Sequence, residues 1–335
     1  MSRRRFLAGM LLLPLGVKAR ETEYPEVKAG APLKFPRDLA AHPGFRTEWW
    51  YVTGWLSNAK KEDLGFQVTF FRTRLPFEDG NPSRFAPRQA ILAHAAIADA
   101  RLGRLRHDER SARVALGLAG ARTDATEVWV DDWRFFQEKN FYRAKINSEE
   151  TPMDLAFEPR GLVLQGDAGF SRKGPRPAEA SYYYSQPHLA VRGTVQGEPV
   201  SGTAWLDHEW SSQYLAPEAA GWDWAGINLN DGTSLMAFRI RGRDGGIYFS
   251  PPGISFEVLR TWKSPRTGVV YPISMSLRAY QRQFTLEPLM DDQELDARRS
   301  TGTIYWEGAV RALEAGREAG RGYLELTGYW KPMKL

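Results

Sequence analysis

The sequence predicts an all-β protein built from two antiparallel domains, and three observations carry that prediction. Short β-prone runs recur at roughly ten-residue spacing with turn residues between them, as in a sandwich or an up-and-down barrel. The 12 Trp, 13 Tyr and 17 Phe, set among 31 Gly and 21 Pro, favour strands, turns and aromatic packing over helical bundles. Long amphipathic helices are absent, and only residues 289–300, acidic and then basic, offer a short one.

Taken in order, the chain opens with Arg3-Arg4-Arg5-Phe6-Leu7, a short apolar run over 8–17, and Lys18-Ala19. This reads as a twin-arginine (Tat) type export label on residues 1–20, too short to span a bilayer, and it places the mature protein in the periplasm. The label holds five of the 45 basic residues and none of the 40 acidic ones. The mature chain is therefore charge-balanced, which gives no electrostatic case for nucleic acid. With no cysteine there is neither a disulfide nor a lipid-anchored N-terminal thiol.

Residues 21–41 are polar and Pro-rich and read as an extended linker or an arm over the first domain, 42–176. Residues 48–57 and 64–74 form a hairpin, and the first of these strands is apolar in both parities, so it is buried on both faces. One face fills a barrel and the other meets the second domain. Residues 77–87 read as a turn-rich loop. His94, in the apolar run 89–98, reads as a hydrogen-bonded core residue, and further strands fall at 114–118, 127–136, 141–146 and 153–157. The charged Pro/Gly stretch 172–177 marks the boundary with a second domain, 177–335. That domain opens with the Tyr-rich run 181–188 and a strand at 203–210, continues with a hairpin over 222–240 turning at Asn230-Asp231-Gly232, and closes with strands at 303–310 and 322–330. In the last two, Tyr305 shares a face with Glu307 and Tyr323 with Glu325, a pattern that is ordinary on an exposed strand.

Candidate chemistry concentrates in residues 201–229. Side chains alternate along a strand, so Asp207 and Glu209 share one face of 203–210 while His208 and Trp210 share the other. Trp222-Asp223-Trp224 follows, and together these read as the floor of an apolar, aromatic-walled site holding carboxylates. Burying several ionisable groups among Trp rings costs free energy unless they are paired or used. HExxH, CxxC, G-x-S-x-G, a P-loop and a dinucleotide fingerprint are all missing, so no metal or other cofactor is expected. What remains is acid–base work. A carboxylic acid raised in pKa by Trp neighbours protonates an alkene, facing rings stabilise the cation, and a second carboxylate or His208 delivers water.

EWWYVTGWL, SYYYSQPHL, GTAWLDHEWSSQ, GWDWAGINLNDGTSLMAFRIR, TGTIYWEGAV and GYLELTGYW, in this order over residues 42–332, resemble the AttH-like family. That family includes carotenoid 1,2-hydratases (hydroxyneurosporene synthases) and many proteins labelled predicted secreted hydrolases. The resemblance implies two tandem lipocalin-like β-barrels and a hydrophobic or lipid-like small-molecule ligand. It places catalysis at Asp207, His208 and Glu209, with Asp223 the next carboxylate. Trp210, Trp222, Trp224, Trp50, Tyr183 and Glu48 would contact substrate. Two readings follow: an exported hydratase or hydrolase, or a non-catalytic carrier of a hydrophobic ligand working with an ABC transport system.

Overall fold

The computed structural model describes residues 22–76 and 88–334; the export label and the 77–87 loop lie outside the described residues. Strand β1 (Thr47–Asn58) is the seam of the molecule and is buried along nearly its whole length. Its even-numbered Trp50, Val52 and Leu56 enter the core of a first sheet. Its odd-numbered Tyr51 and Trp55 enter a cluster shared with Trp224, Ala309 and Tyr323 of a second sheet. Double-faced apolarity has the consequence expected for it, one face to each domain.

β1 pairs with β2 (Asp63–Arg74), then come β3 (Gln89–Asp99) and β4 (Arg106–Arg113). A meander follows through β5 (Ala119–Ala121), β6 (Glu127–Val130), β7 (Trp133–Glu138), β8 (Phe141–Ile146) and β9 (Met153–Glu158). The short β10 (Val163–Leu164) and β11 (Phe170–Arg172) pair with β12 (Ala180–Val195), and β13 (Glu198–Ser211) lies between β12 and β1. The order is β4-β3-β2-β1-β13-β12-β9-β8-β7-β6-β5, with every pairing antiparallel. β3 and β4 come back against β5 and β6, closing a near-barrel around Phe66, Phe70, Trp133 and Phe157. Strands expected at 114–118 and 127–136 are instead a turn-rich link and a hairpin bent at Asp131-Asp132.

The second sheet comprises β14 (Ala219–Leu229), β15 (Ser234–Gly242), β16 (Ile247–Phe249), β17 (Ile254–Lys263), β18 (Val270–Ala279), β19 (Arg282–Pro288), β20 (Glu294–Ala297), β21 (Thr303–Glu314) and β22 (Arg317–Leu326). Its order is β16-β15-β14-β22-β21-β19-β18-β17, with β20 paired to β21 and β15 against β17. The fold is all-β, two near-barrel antiparallel sheets of lipocalin-like type. Residues 289–300, the one helical expectation, contain β20, because pairing to β21 outweighs a weak amphipathic pattern.

One boundary moves. The first sheet continues past the expected break at 176/177 through Ser211, so the division lies in residues 212–218. The cause is register: Asp207 pairs with Tyr51 and His208 with Trp50, so the second long strand of aromatic and acidic residues completes the barrel begun by the first. A Pro/Gly stretch marks a turn, and here only a turn. Residues 22–41 form an arm, not a free linker: Val27 is buried, Tyr24 donates to the Arg74 carbonyl at 3.1 Å, and Phe35 stands edge-on to Tyr184. The two barrels meet closely. A Cβ at Gly65 would lie 2.6 Å from the Ala309 methyl and 2.7 Å from the Tyr323 hydroxyl, so the crossing of β2 with β21 and β22 demands glycine. His94 is buried there, 2.7 Å from the Tyr305 hydroxyl and 2.8 Å from Ser300 Oγ, the hydrogen-bonded core histidine the sequence predicts.

Candidate active site between the barrels

The alternation of β13 sends its functional residues to two places. Asp207 and Glu209 face a cavity of about 250 Å³ lying between the barrels, not inside either one. The aromatic-walled site read from residues 201–229 is thus shared between the two barrels. Side chains fill both barrel interiors, and this cavity lies where their outer faces meet. Trp49 and Tyr51 from β1, Tyr183 from β12 and Tyr214 form one wall. Trp222, Trp224 and Glu325 from the second sheet form the other.

Of the acids facing the cavity, Asp207 accepts the most hydrogen bonds. Tyr183 donates its hydroxyl to Oδ2 at 2.7 Å, while Ser185 Oγ at 2.5 Å and Trp205 Nε1 at 2.6 Å donate to Oδ1. Burial still dominates these three bonds, and with the Glu209 charge it pushes Asp207 up to about 7. Glu325, from the opposite sheet, receives one hydrogen bond, from Trp222 Nε1 at 2.7 Å. Burial, helped by the charges of Asp207 and Glu209, lifts it to about 7 as well. Glu209 accepts from Ser181 and lies 2.7 Å from the ammonium of Lys173. Lys173 is itself buried, 4.2 Å from the Phe238 ring centre and 4.9 Å from that of Tyr183. Desolvation raises Glu209 and lowers Lys173, against the mutual attraction of the pair. Behind this group Tyr51 donates to Glu307, which burial and Glu325 hold far above the ordinary carboxylate range.

His208 and Trp210 point the other way, into the end of the first barrel. There Glu48 Oε1 lies 2.9 Å from His208 Nε2 and 2.8 Å from His42 Nδ1, and Glu48 Oε2 accepts from Arg72 Nε at 2.7 Å. The Arg72 charge and the two imidazoles outweigh burial and hold Glu48 well below the ordinary carboxylate range. His42 stacks on Trp210 at 3.7 Å, and Trp50 stacks on His208 at 4.8 Å. Of the residues expected to act together, Asp207, Glu209, Trp222, Trp224 and Tyr183 meet at the cavity. His208, Trp210, Trp50 and the Glu48 carboxylate lie in the second cluster. Asp223 joins neither, because the alternation that sends Trp222 and Trp224 to the cavity turns it inward. It accepts from Arg239 Nε at 2.7 Å, Arg241 Nε at 3.0 Å and Tyr329 Oη at 2.9 Å, a buried structural ion pair.

Several functional groups escape sequence reasoning. Glu307 and Glu325 carried a visible signal, the Tyr-x-Glu pattern, but their strands are buried on both faces, not exposed on one. Lys173 stands in the stretch read as the domain boundary. His42, Asp38 and Arg72 carried no signal, since their meeting depends on how the arm crosses the barrel.

Two lipocalin-like near-barrels with an acidic, aromatic cavity at their seam define a two-barrel protein suited to a hydrophobic small molecule. The sequence profile described as AttH-like matches residues 26–329, and the chain belongs to the AttH-like family. It is similar to a crystallised protein of Nitrosomonas europaea provisionally assigned to AttH. The two share 48% identity over 91% of this chain and 99% of that one, with a TM-score of 0.85. Its fold is also that of kievitone hydratase from Nectria haematococca, at 15% identity over 93% and 98% of the two chains and a TM-score of 0.64. No curated protein matches the sequence.

Proposed function

We propose that the protein is an exported enzyme that hydrates a carbon–carbon double bond of a hydrophobic small molecule in the cavity between its barrels. The observation that carries this reading is a pair of carboxyls from opposite walls, Asp207 and Glu325, both held at about 7 among tryptophan and tyrosine rings. At neutral pH such a pair shares protons, one member donating while the other accepts. The hydrogen-bond inventory assigns the roles. Glu325 has a single donor, so its second oxygen is available to carry a proton to the alkene. Asp207 has donors on both oxygens, which favour its carboxylate, so it takes the proton of the attacking water. One carbon gains H⁺ from Glu325, the adjacent cationic carbon gains OH from water, and the water's remaining proton passes to Asp207.

Trp222, Trp224 and Tyr51 line the cavity and would supply negative ring faces to the transient cation. Glu209, paired with Lys173, adds a like charge that disfavours ionisation of Asp207 and Glu325 together. The twin-arginine-type label of residues 1–20 supports a periplasmic location. A fold shared with a hydratase is compatible with this chemistry without specifying the substrate.

The test is incubation with a panel of apolar terpenoid and prenylated alkenes in ¹⁸O-water, read by mass spectrometry. A product heavier by one labelled water, absent with Glu325→Gln and Asp207→Asn, is expected. Stoichiometric recovery of an unmodified apolar ligand, with no labelled product from any alkene, would instead make the protein a carrier.

A further inference from the structure

We infer that His42, Glu48 and His208 form a binding site for a first-row divalent transition-metal cation, on the face of β13 that the proposed hydration does not use. The three donor atoms, His42 Nδ1, Glu48 Oε1 and His208 Nε2, lie within 4.8 Å of one another. Both nitrogens are under 3.0 Å from the same carboxylate oxygen, so the three donor atoms converge on one point.

Proximity alone also describes a hydrogen-bonded triad, and the contacts on the far side of each ligand are what favour a metal. His42 Nε2 lies 3.4 Å from Asp38 Oδ1, and His208 Nδ1 lies 3.0 Å from the Tyr184 hydroxyl. With the ring protons on these outer nitrogens, His42 donates to a carboxylate and His208 to a phenol oxygen. The inner lone pairs of both rings then converge beside Glu48 Oε1. The outer oxygen of Glu48 is held by Arg72. Each of three ligands thus has an orienting partner, the arrangement that fixes tautomer and ring direction around bound metals. Stacking against Trp210 at an interplanar angle of 7° and against Trp50 at 20° restrains both imidazole planes.

Two imidazoles and one carboxylate suit Zn²⁺, Fe²⁺, Co²⁺ or Mn²⁺ better than Ca²⁺ or Mg²⁺, which prefer oxygen. The His42 side chain is 15% exposed and gives an ion its path in, whereas His208 and Glu48 are sealed.

The experiment uses the full mature chain, stripped with EDTA, freed of chelator, and titrated with Zn²⁺ by calorimetry and with Co²⁺ by visible absorption. Uptake of one saturable equivalent, with cobalt ligand-field bands, is expected. Asp38→Asn should weaken it about 10- to 100-fold by loosening the His42 ring. His42→Ala should abolish it while circular dichroism stays unchanged, since His42 precedes the first strand and pairs in no sheet. The inference is overturned if the stripped, folded protein takes up neither metal saturably, the behaviour of a hydrogen-bonded triad. It is equally overturned if His42→Ala binds with the same stoichiometry and affinity. Neither readout involves alkene turnover, so failure here leaves the hydration reading standing, and the reverse also holds.

Discussion

The two faces of β13 put carboxylates in equal burial and opposite charge states. Asp207 on this strand and Glu48 on the adjacent β1, whose carboxylates lie on opposite faces of the sheet, are both sealed from water, at 3% and 0% exposure. Asp207 is pushed up to about 7, and Glu48 is held well below the ordinary range. Hydrogen bonds do not explain the difference, because each accepts several. Counter-charge does: Arg72 lies 2.7 Å from Glu48, whereas the nearby ionised group that acts on Asp207 most is Glu209, of like sign. Burial makes a carboxylate expensive, and a partner decides whether it ionises regardless. The cavity face is therefore built for proton exchange and the barrel-end face for fixed charge.

The largest effect should come from removing exchangeable protons on the cavity face. Glu325→Gln and Asp207→Asn are each expected to lower kcat by about 10²- to 10⁴-fold, the range for a positioned acid or base, with the fold retained by circular dichroism. Next, Arg72→Met should leave Glu48 buried and unpaired and destabilise the protein by about 3–5 kcal/mol, seen as a fall in the urea midpoint. If this variant melts like the wild type, Arg72 is not what separates the two faces.

The pH dependence of stability should also have opposite sign on the two faces. The folded pKa of Asp207 is raised, so its contribution is fully present below the unfolded value of 3.8 and is lost as pH rises through about 7. Asp207→Asn should then gain on the wild type between pH 4 and 8, by up to about 4 kcal/mol on the high side. The folded pKa of Glu48 is depressed, so its contribution is present above the unfolded value of 4.5 and is lost on acidification below that. Glu48→Gln should therefore lose least against the wild type at the acid end. Denaturant melts across pH check both slopes. The smallest effect concerns the floor behind the cavity: Tyr51→Phe, which removes the donor to Glu307, should cost about 1–3 kcal/mol in chemical denaturation.

Much of this contrast was legible in the sequence. Period-two alternation separates Asp207 and Glu209 from His208 and Trp210, and the double-faced apolarity of residues 48–56 foretells a strand shared by two packing layers. What escaped depends on pairing between distant strands. Nothing local says that β13 pairs with β1, so the boundary was set at a Pro/Gly turn some thirty-five residues early. Glu325 faces Asp207 only because β22 lies beside β14 and that sheet packs against the first. Asp223 shows the converse error. Its place between two tryptophans made it look like a site residue, yet the same alternation turns it to Arg239 and Arg241.

The central claim is that the cavity acids exchange protons near neutrality, and it is tested most directly by ¹³C NMR of carboxyl-labelled Asp and Glu across pH. Two coupled carboxyl titrations near pH 7, one removed by Asp207→Asn and one by Glu325→Gln, are the predicted result. Titration of both residues near pH 4, with no carboxyl moving around neutrality, would contradict the account.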